Sequence, residues 1–445
     1  MKKNWLKGIS LALALCMIFT LVACGGKKDK GADQTKQGDT KTEGEQGDKA
    51  LSGEIDALLW LSSYPEVINQ IKEGFAAKYP NIKVNLNTMT GNSGTENLEP
   101  RIASGNMPDV TSVDVSDWYM TYTDKGYFGD ISETDAWKYQ LDAIKAQWTT
   151  PKGVKYGVSY GVAAMFIYYN KDLFAKAGIQ KLPTNWDEFL ATCEQLKQAG
   201  ITPLSWPGGF PNMFGHTFIS AGVANSIFRK DPKLVEKTLG TEYDYSGPEW
   251  VEIFQKNVDL VEKGYVNKGY LSTDYAESVR LFNDDEVAMT FQGSWSAGDI
   301  LIRDNVGLFL PPWNEPGQEI VGLMGAETGF GIGGTPNVNK ELALVFFNYC
   351  AFENYENFQN ETGTIPIYPL DVVPGCKIDP RLQAGAEEIT KLQLACPLAF
   401  QLFPSSVYNA MRMFGQDTLT GAKKPSDVGA VLNPLQKEYI QSKQN

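Results

Sequence analysis

Apolar positions run along the chain in two rhythms. Ile55 to Leu61 is a nearly unbroken apolar stretch that reads as a buried strand and ends in Ser62-Ser63-Tyr64-Pro65. From Val67 to Lys78 the apolar residues Ile68, Ile71 and Phe75 recur at helical spacing and predict an amphipathic helix. Tyr79-Pro80 stops it, because the residue before proline is pushed out of the helical region. Ile82 to Leu86 alternates as a second strand, Thr95 to Ser104 is a helix closed by Gly105, and Val110 to Val113 is a third strand. This β-α-β-α-β order predicts a parallel sheet with helices on its faces, an α/β fold. Ligands of such sheets sit off the carboxyl ends of the strands. Topology alone therefore makes Leu61–Pro65 and Val113–Trp118 site loops.

Tyr156 to Ile179 is a long strand-like run that enters a helix through Asn170-Lys171-Asp172, as expected of a strand that passes between lobes. Pro183 to Ile201 predicts a helix capped by Thr184 or Asn185 and closed by Gly200. Trp206 to Phe214 reads as an irregular aromatic and glycine loop, and Pro248–Lys263 and Asp274–Asn283 as further helices. No internal repeat, phosphate-binding loop or dinucleotide fingerprint is present.

The amino end changes the picture. Lys2, Lys3 and Lys7 precede an apolar run from Ile9 to Val22. That run falls short of the roughly 20 residues needed to cross a bilayer and has the layout of an export signal. Its ending, Leu21-Val22-Ala23-Cys24, resembles a bacterial lipobox, which implies cleavage after residue 23 and lipidation of the Cys24 sulfur. A diacylglyceryl group gives a durable anchor where a single chain would not. Residues 24–52 are then a polar, glycine-containing tether that buries too little to fold.

The remaining chain exceeds the size at which one core stops growing, so two lobes are expected. A net charge of −13 argues against nucleic acid as a partner. Cys193, Cys350, Cys376 and Cys396 match no metal-ligand spacing, and whether Cys376 pairs with Cys396 stays open. His216 is the one histidine, too little support for a metal site or a catalytic triad, and reads as a packed or rim residue. No metal or other cofactor is expected.

Five segments in order carry a resemblance: Met107–Val110, Tyr168–Ile179, Leu281–Trp295, Val306–Gly317 and Asn339–Cys350. Together the chain is similar to extracellular solute-binding proteins of family 1, the maltose-binding-protein-like carbohydrate group. The resemblance implies a two-lobed, type II periplasmic-binding-protein-like fold with a hinge and an interlobe ligand cleft. It places the first lobe at 53–163 plus 318–368 and the second at 165–313 plus 370–445. Crossings then fall near Ala163, near Asn314–Gly317 and near Tyr368, with Gly363–Pro366 a structural turn before the last.

The resemblance also marks a site. Trp295 stands where the family has a cleft tryptophan, and Tyr408 where it has a second stacking ring. Ser62, Ser63, Tyr64 and Glu66 match its polar first-lobe loop, although Tyr64-Pro65 replaces an Asp-Lys pair. Trp206, Phe210 and Asn212 match its second-lobe aromatic loop. Asp114 follows the third strand and Glu327 a crossing, where either can meet a hydroxyl or be a solvated surface acid. Aromatic rings cover the C–H faces of a sugar while carboxylates and amides bond its rim, and a site built for a hydroxyl rejects analogues that lack it.

The leading expectation is therefore a monomeric, non-enzymatic lipoprotein, held to the outer face of the cell membrane of a Gram-positive bacterium through Cys24. It captures a mono- or oligosaccharide and delivers it to the permease subunits of an ABC importer. The alternatives are a binding protein for a non-sugar solute and a secreted glycoside hydrolase. The hydrolase needs two carboxyl groups about 5–10 Å apart, for which Asp114 and Glu327 are candidates.

Overall fold

The computed structural model describes residues 51–90 and 94–444. Cys24 and the expected signal and tether lie outside them. The chain builds two α/β lobes, each around one sheet. In the first, β1 (Gly53–Leu59) pairs in parallel with β2 (Ile82–Thr88) and β3 (Val110–Val113). Two strands from later in the chain complete that sheet, β4 (Val158–Ser159) and β10 (Gly329–Ile332), in the order β2-β1-β3-β10-β4. The helix Pro65–Lys78 buries Val67, Ile71 and Phe75. Phe75 packs edge-on against Phe346 with ring centres 4.8 Å apart.

The second sheet runs β11 (Ala395–Cys396), β9 (Gly322–Ala326), β5 (Val162–Asn170), β7 (Val287–Gly293) and β6 (Thr202–Ser205), with β8 (Val306–Phe309) also on β5. The predicted run Tyr156–Ile179 is thus divided. β4 belongs to the first sheet and β5 to the second, with Tyr160-Gly161 between them. Asn170 then accepts the backbone N–H groups of Asp172 and Leu173 and starts the next helix. In the helix Trp186–Gln198, Asn185 caps the Glu188 N–H at 3.1 Å and the Glu188 carboxylate reaches back to the Thr184 N–H at 2.9 Å.

Three expectations are corrected. The passage placed at Asn314–Gly317 lies later, at Glu327-Thr328. Gly322–Ala326 pairs with Val162–Ala164 and with Ala395–Cys396, so the chain is still in the second sheet there. Trp206 is no cleft residue. It is fully buried and stacked on Phe218 with ring centres 4.0 Å apart. Its loop does not stay irregular either, because Pro211 starts a helical run that continues to Phe228 with two π-type stretches.

Trp206 belongs to the second lobe's core, where Phe218 also packs on Phe291 and Trp313. Cys193, Cys350, Cys376 and Cys396 are free thiols, so Cys376 and Cys396 form no disulfide. Among the described residues no helix is long and apolar enough to cross a membrane. Trp206→Ala is expected to lose about 3–5 kcal/mol of unfolding free energy, as buried aromatic truncations do. A urea titration followed by circular dichroism checks this.

Candidate functional site

The carboxyl ends of the first-lobe strands open toward the second lobe. There a cavity of about 360 Å³ joins a smaller chamber of about 60 Å³; both are bordered by Trp60, Asp114, Asn212, His216 and Phe400. β1 delivers Trp60, whose N–H donates to Ser112 Oγ at 2.7 Å. The turn that follows places Ser62, Ser63 and Tyr64 on the wall. Tyr64 spans the cleft and donates its hydroxyl to the Trp295 carbonyl at 3.0 Å. Asp114 follows β3; its Oδ1 accepts the Val115 N–H at 2.7 Å and its carbonyl holds the Tyr156 hydroxyl at 3.1 Å.

From the second lobe comes an aromatic wall. β7 ends at Gly293, and Ser294 Oγ is pinned between the Val162 carbonyl at 2.7 Å and the Ala164 N–H at 3.1 Å. This fixes Trp295, whose ring folds back over Gly293, where a Cβ would collide with it. His216 meets Phe400 edge-on at 4.9 Å between ring centres and reaches the Tyr408 hydroxyl at 3.3 Å. Tyr408 sits in the first turn of the helix Ser405–Leu419, and Arg412, one turn on, lies over its ring at 5.2 Å. The Arg412 guanidinium also donates to Asn212 and Asn409 at 2.7 and 2.6 Å.

Of the residues singled out from the sequence, Ser62, Ser63, Tyr64, Asp114, Phe210, Asn212, Trp295 and Glu327 border the larger cavity, and Tyr408 the smaller. Glu66 does not border either: it is exposed on the first turn of its helix. Sequence reasoning missed Trp60, Tyr160, Tyr275, Phe400 and Arg412. Trp60 had a usable signal, since it directly precedes the site loop.

Electrostatics divide the cleft. Burial raises Asp114 to about 7 and Glu327 to about 8, partly offset by the Val115 N–H and the Thr364 hydroxyl. Among the described residues neither acid has an ion-pair partner. Burial and the nearby Arg412 lower His216 to about 3, so it is neutral. Among the described residues no cluster of carboxylate, thiol and imidazole groups is arranged to hold a metal ion. The arrangement offers flat apolar faces, hydrogen-bond acceptors and one guanidinium, and suits an uncharged, hydroxyl-rich solute.

The family described as bacterial extracellular solute-binding protein matches residues 61–353. The chain is 26% identical over 306 residues to an uncharacterized ABC transporter extracellular-binding protein of Pyrococcus horikoshii, covering 65% of this chain and 64% of that one. It is 26% identical over 340 residues to the multiple sugar-binding protein of Streptococcus mutans, covering 71% and 72%. The fold matches a chitin oligosaccharide binding protein with a TM-score of 0.74 and 21% identity over 88% of this chain and 99% of that one.

The two buried acids set a pH response. Each holds its proton more tightly in the folded protein than in the unfolded chain. Their contribution to stability is complete below the ordinary carboxylate range and is lost as pH rises through about 7 and 8. The urea midpoint of the empty protein is expected to fall between pH 5 and 8.5. The double variant Asp114→Asn, Glu327→Gln is expected to flatten that fall.

Proposed function

The chain belongs to the family of bacterial extracellular solute-binding proteins, and from that premise we propose that it captures a saccharide in the interlobe cleft and delivers it to the permease of an ABC importer. The observation that carries this reading is the pairing of surfaces across the cleft: aromatic planes at Trp60, Trp295 and Tyr408 against the acids Asp114 and Glu327. Trp295 and Tyr408 stack on ring faces. The Asp114 and Glu327 carboxyl groups accept hydroxyls, with Ser62, Ser63, Tyr64 and Asn212 closing the rim. The cavity accommodates more than one sugar ring. The multiple sugar-binding and chitin oligosaccharide-binding proteins that this chain resembles support the same class of solute.

Cys24 carries a lipid that holds the monomeric protein on the outer face of the membrane of a Gram-positive bacterium, and residues 24–52 are its leash. The protein does no chemistry. A phosphate ester is disfavoured: among the described lining residues Arg412 is the one full cation, and its guanidinium already donates to Asn212 and Asn409.

Thermal denaturation of residues 25–445 against a panel of mono- and oligosaccharides tests this. A saccharide at 100 times its dissociation constant adds about 2.7 kcal/mol of stability. Trp295→Ala is expected to remove the response while the protein stays folded. A response to a peptide or phosphate ester and to no saccharide would contradict the reading, and release of a reducing end would point to a hydrolase.

A further inference from the structure

Three passages of chain join the lobes, and they meet at one residue. The first passes through Tyr160-Gly161 between β4 and β5, and the second through Glu327-Thr328 between β9 and β10. The third leaves the helix Tyr355–Thr362 through Gly363–Ile367 and returns to the second sheet at Ala395–Cys396.

The Glu327 N–H donates to Ser159 Oγ at 2.8 Å and to the Gly161 carbonyl at 3.3 Å, which ties the second passage to the first. Glu327 Oε2 accepts the Thr364 hydroxyl at 3.1 Å, which ties it to the third. The Val162 N–H donates to the Ile365 carbonyl at 2.9 Å and closes the ring of contacts. Gly161 is what lets the passages approach, because a Cβ there would collide with both the Thr364 side chain and the Glu327 carboxyl group. Glu327 also borders the large cavity, and Oε1 accepts no hydrogen bond among the described residues. Tyr64, Tyr160, Tyr275 and Tyr355 surround it, all with neutral hydroxyls that burial holds in the protonated form.

We propose that Glu327 is the positioning residue that couples cleft occupancy to lobe closure: a solute hydroxyl donated to Oε1 binds the same carboxyl group that Thr364 holds, so the three passages respond together. This rests on the cleft being a solute site. Glu327 acts here through the hinge, beyond its contact with the guest. A solute without a donor at that position fills the cavity but leaves the passages uncoupled.

Hydrogen exchange read by mass spectrometry tests the coupling in the empty protein first. In the wild type, peptides covering 159–162, 325–329 and 363–366 are expected to exchange as one cooperative unit. Thr364→Val is expected to accelerate all three by about tenfold, while Thr364→Ser, which keeps the hydroxyl, matches the wild type. Acceleration confined to 363–366, or distinct rates for the three peptides in the wild type, would overturn the proposal. Because the wild-type comparison needs no variant, it decides the matter even if Thr364→Val does not fold.

Saturating stachyose supplies the second arm. It is expected to slow the three peptides together in the wild type but not in Glu327→Gln, which keeps an acceptor for Thr364 and puts an amide NH2, a donor that cannot accept the solute hydroxyl, in place of Oε1. Equal slowing in both proteins would also overturn the proposal. A wild type that binds no saccharide would contradict the solute reading, and the exchange rates of the empty protein would still decide whether the passages are coupled.

Discussion

An acid group enclosed by protein without a cation beside it is the constraint around which this cleft is organised. Moving a carboxylate out of water costs several kcal/mol unless donors replace the lost hydration. Burial pushes the Asp114 and Glu327 carboxyl groups up toward the protonated form, and among the described residues each accepts one hydrogen bond on its side-chain oxygens. Acceptor capacity is thus left over on the inner surface of the cleft. A guest rich in hydroxyls can fill it, whereas an anionic guest would be desolvated with Arg412 as the one cation among the described lining residues. The apolar faces at Trp295 and Tyr408 border the same space and offer area and shape where the acids offer acceptors.

Both features depend on how strands end. β1, β3 and β7 stop at the cleft and release Trp60, Asp114 and Trp295 from their carboxyl ends. The sheets are the rigid part. The lobes are joined only where Tyr160-Gly161, Glu327-Thr328 and Gly363–Ile367 pass between them, and small motions there become large ones at the rim. Contacts that span the rim set the resting position. The Tyr64 hydroxyl reaches the Trp295 carbonyl, and Asp117 of the first lobe accepts from Tyr439 and Lys443 of the last helix at 2.8 and 3.3 Å.

Much of this was legible in the sequence wherever the information is local. The elements between residues 53 and 113 declare themselves by apolar spacing, and the structure places them within a few residues of expectation. Asp114 follows from topology, Trp295 and Tyr408 from the motifs around them. What escaped depends on pairing between distant segments. Gly322–Ala326 reads as an ordinary short strand, and only its partners at Val162 and Ala395 assign it to the second sheet. Trp206 ends a strand just as Trp60 does, but tertiary packing turns one ring into the core and the other to the cavity. Phe400 lies on the four-residue helix Ala399–Leu402, too short for periodicity to fix its facing, and Tyr275 is the first residue of its helix, where the buried face is set by residues further on.

In the proposed complex one guest is clasped between the Trp295 indole face and the acid groups of Asp114 and Glu327. A crystal structure of the protein grown with the saccharide that stabilises it most tests this directly. A sugar ring lying against Trp295, with hydroxyls within hydrogen-bond distance of Asp114 and Glu327, is expected. A guest bound elsewhere, or one in the cleft that touches neither acid, would contradict it.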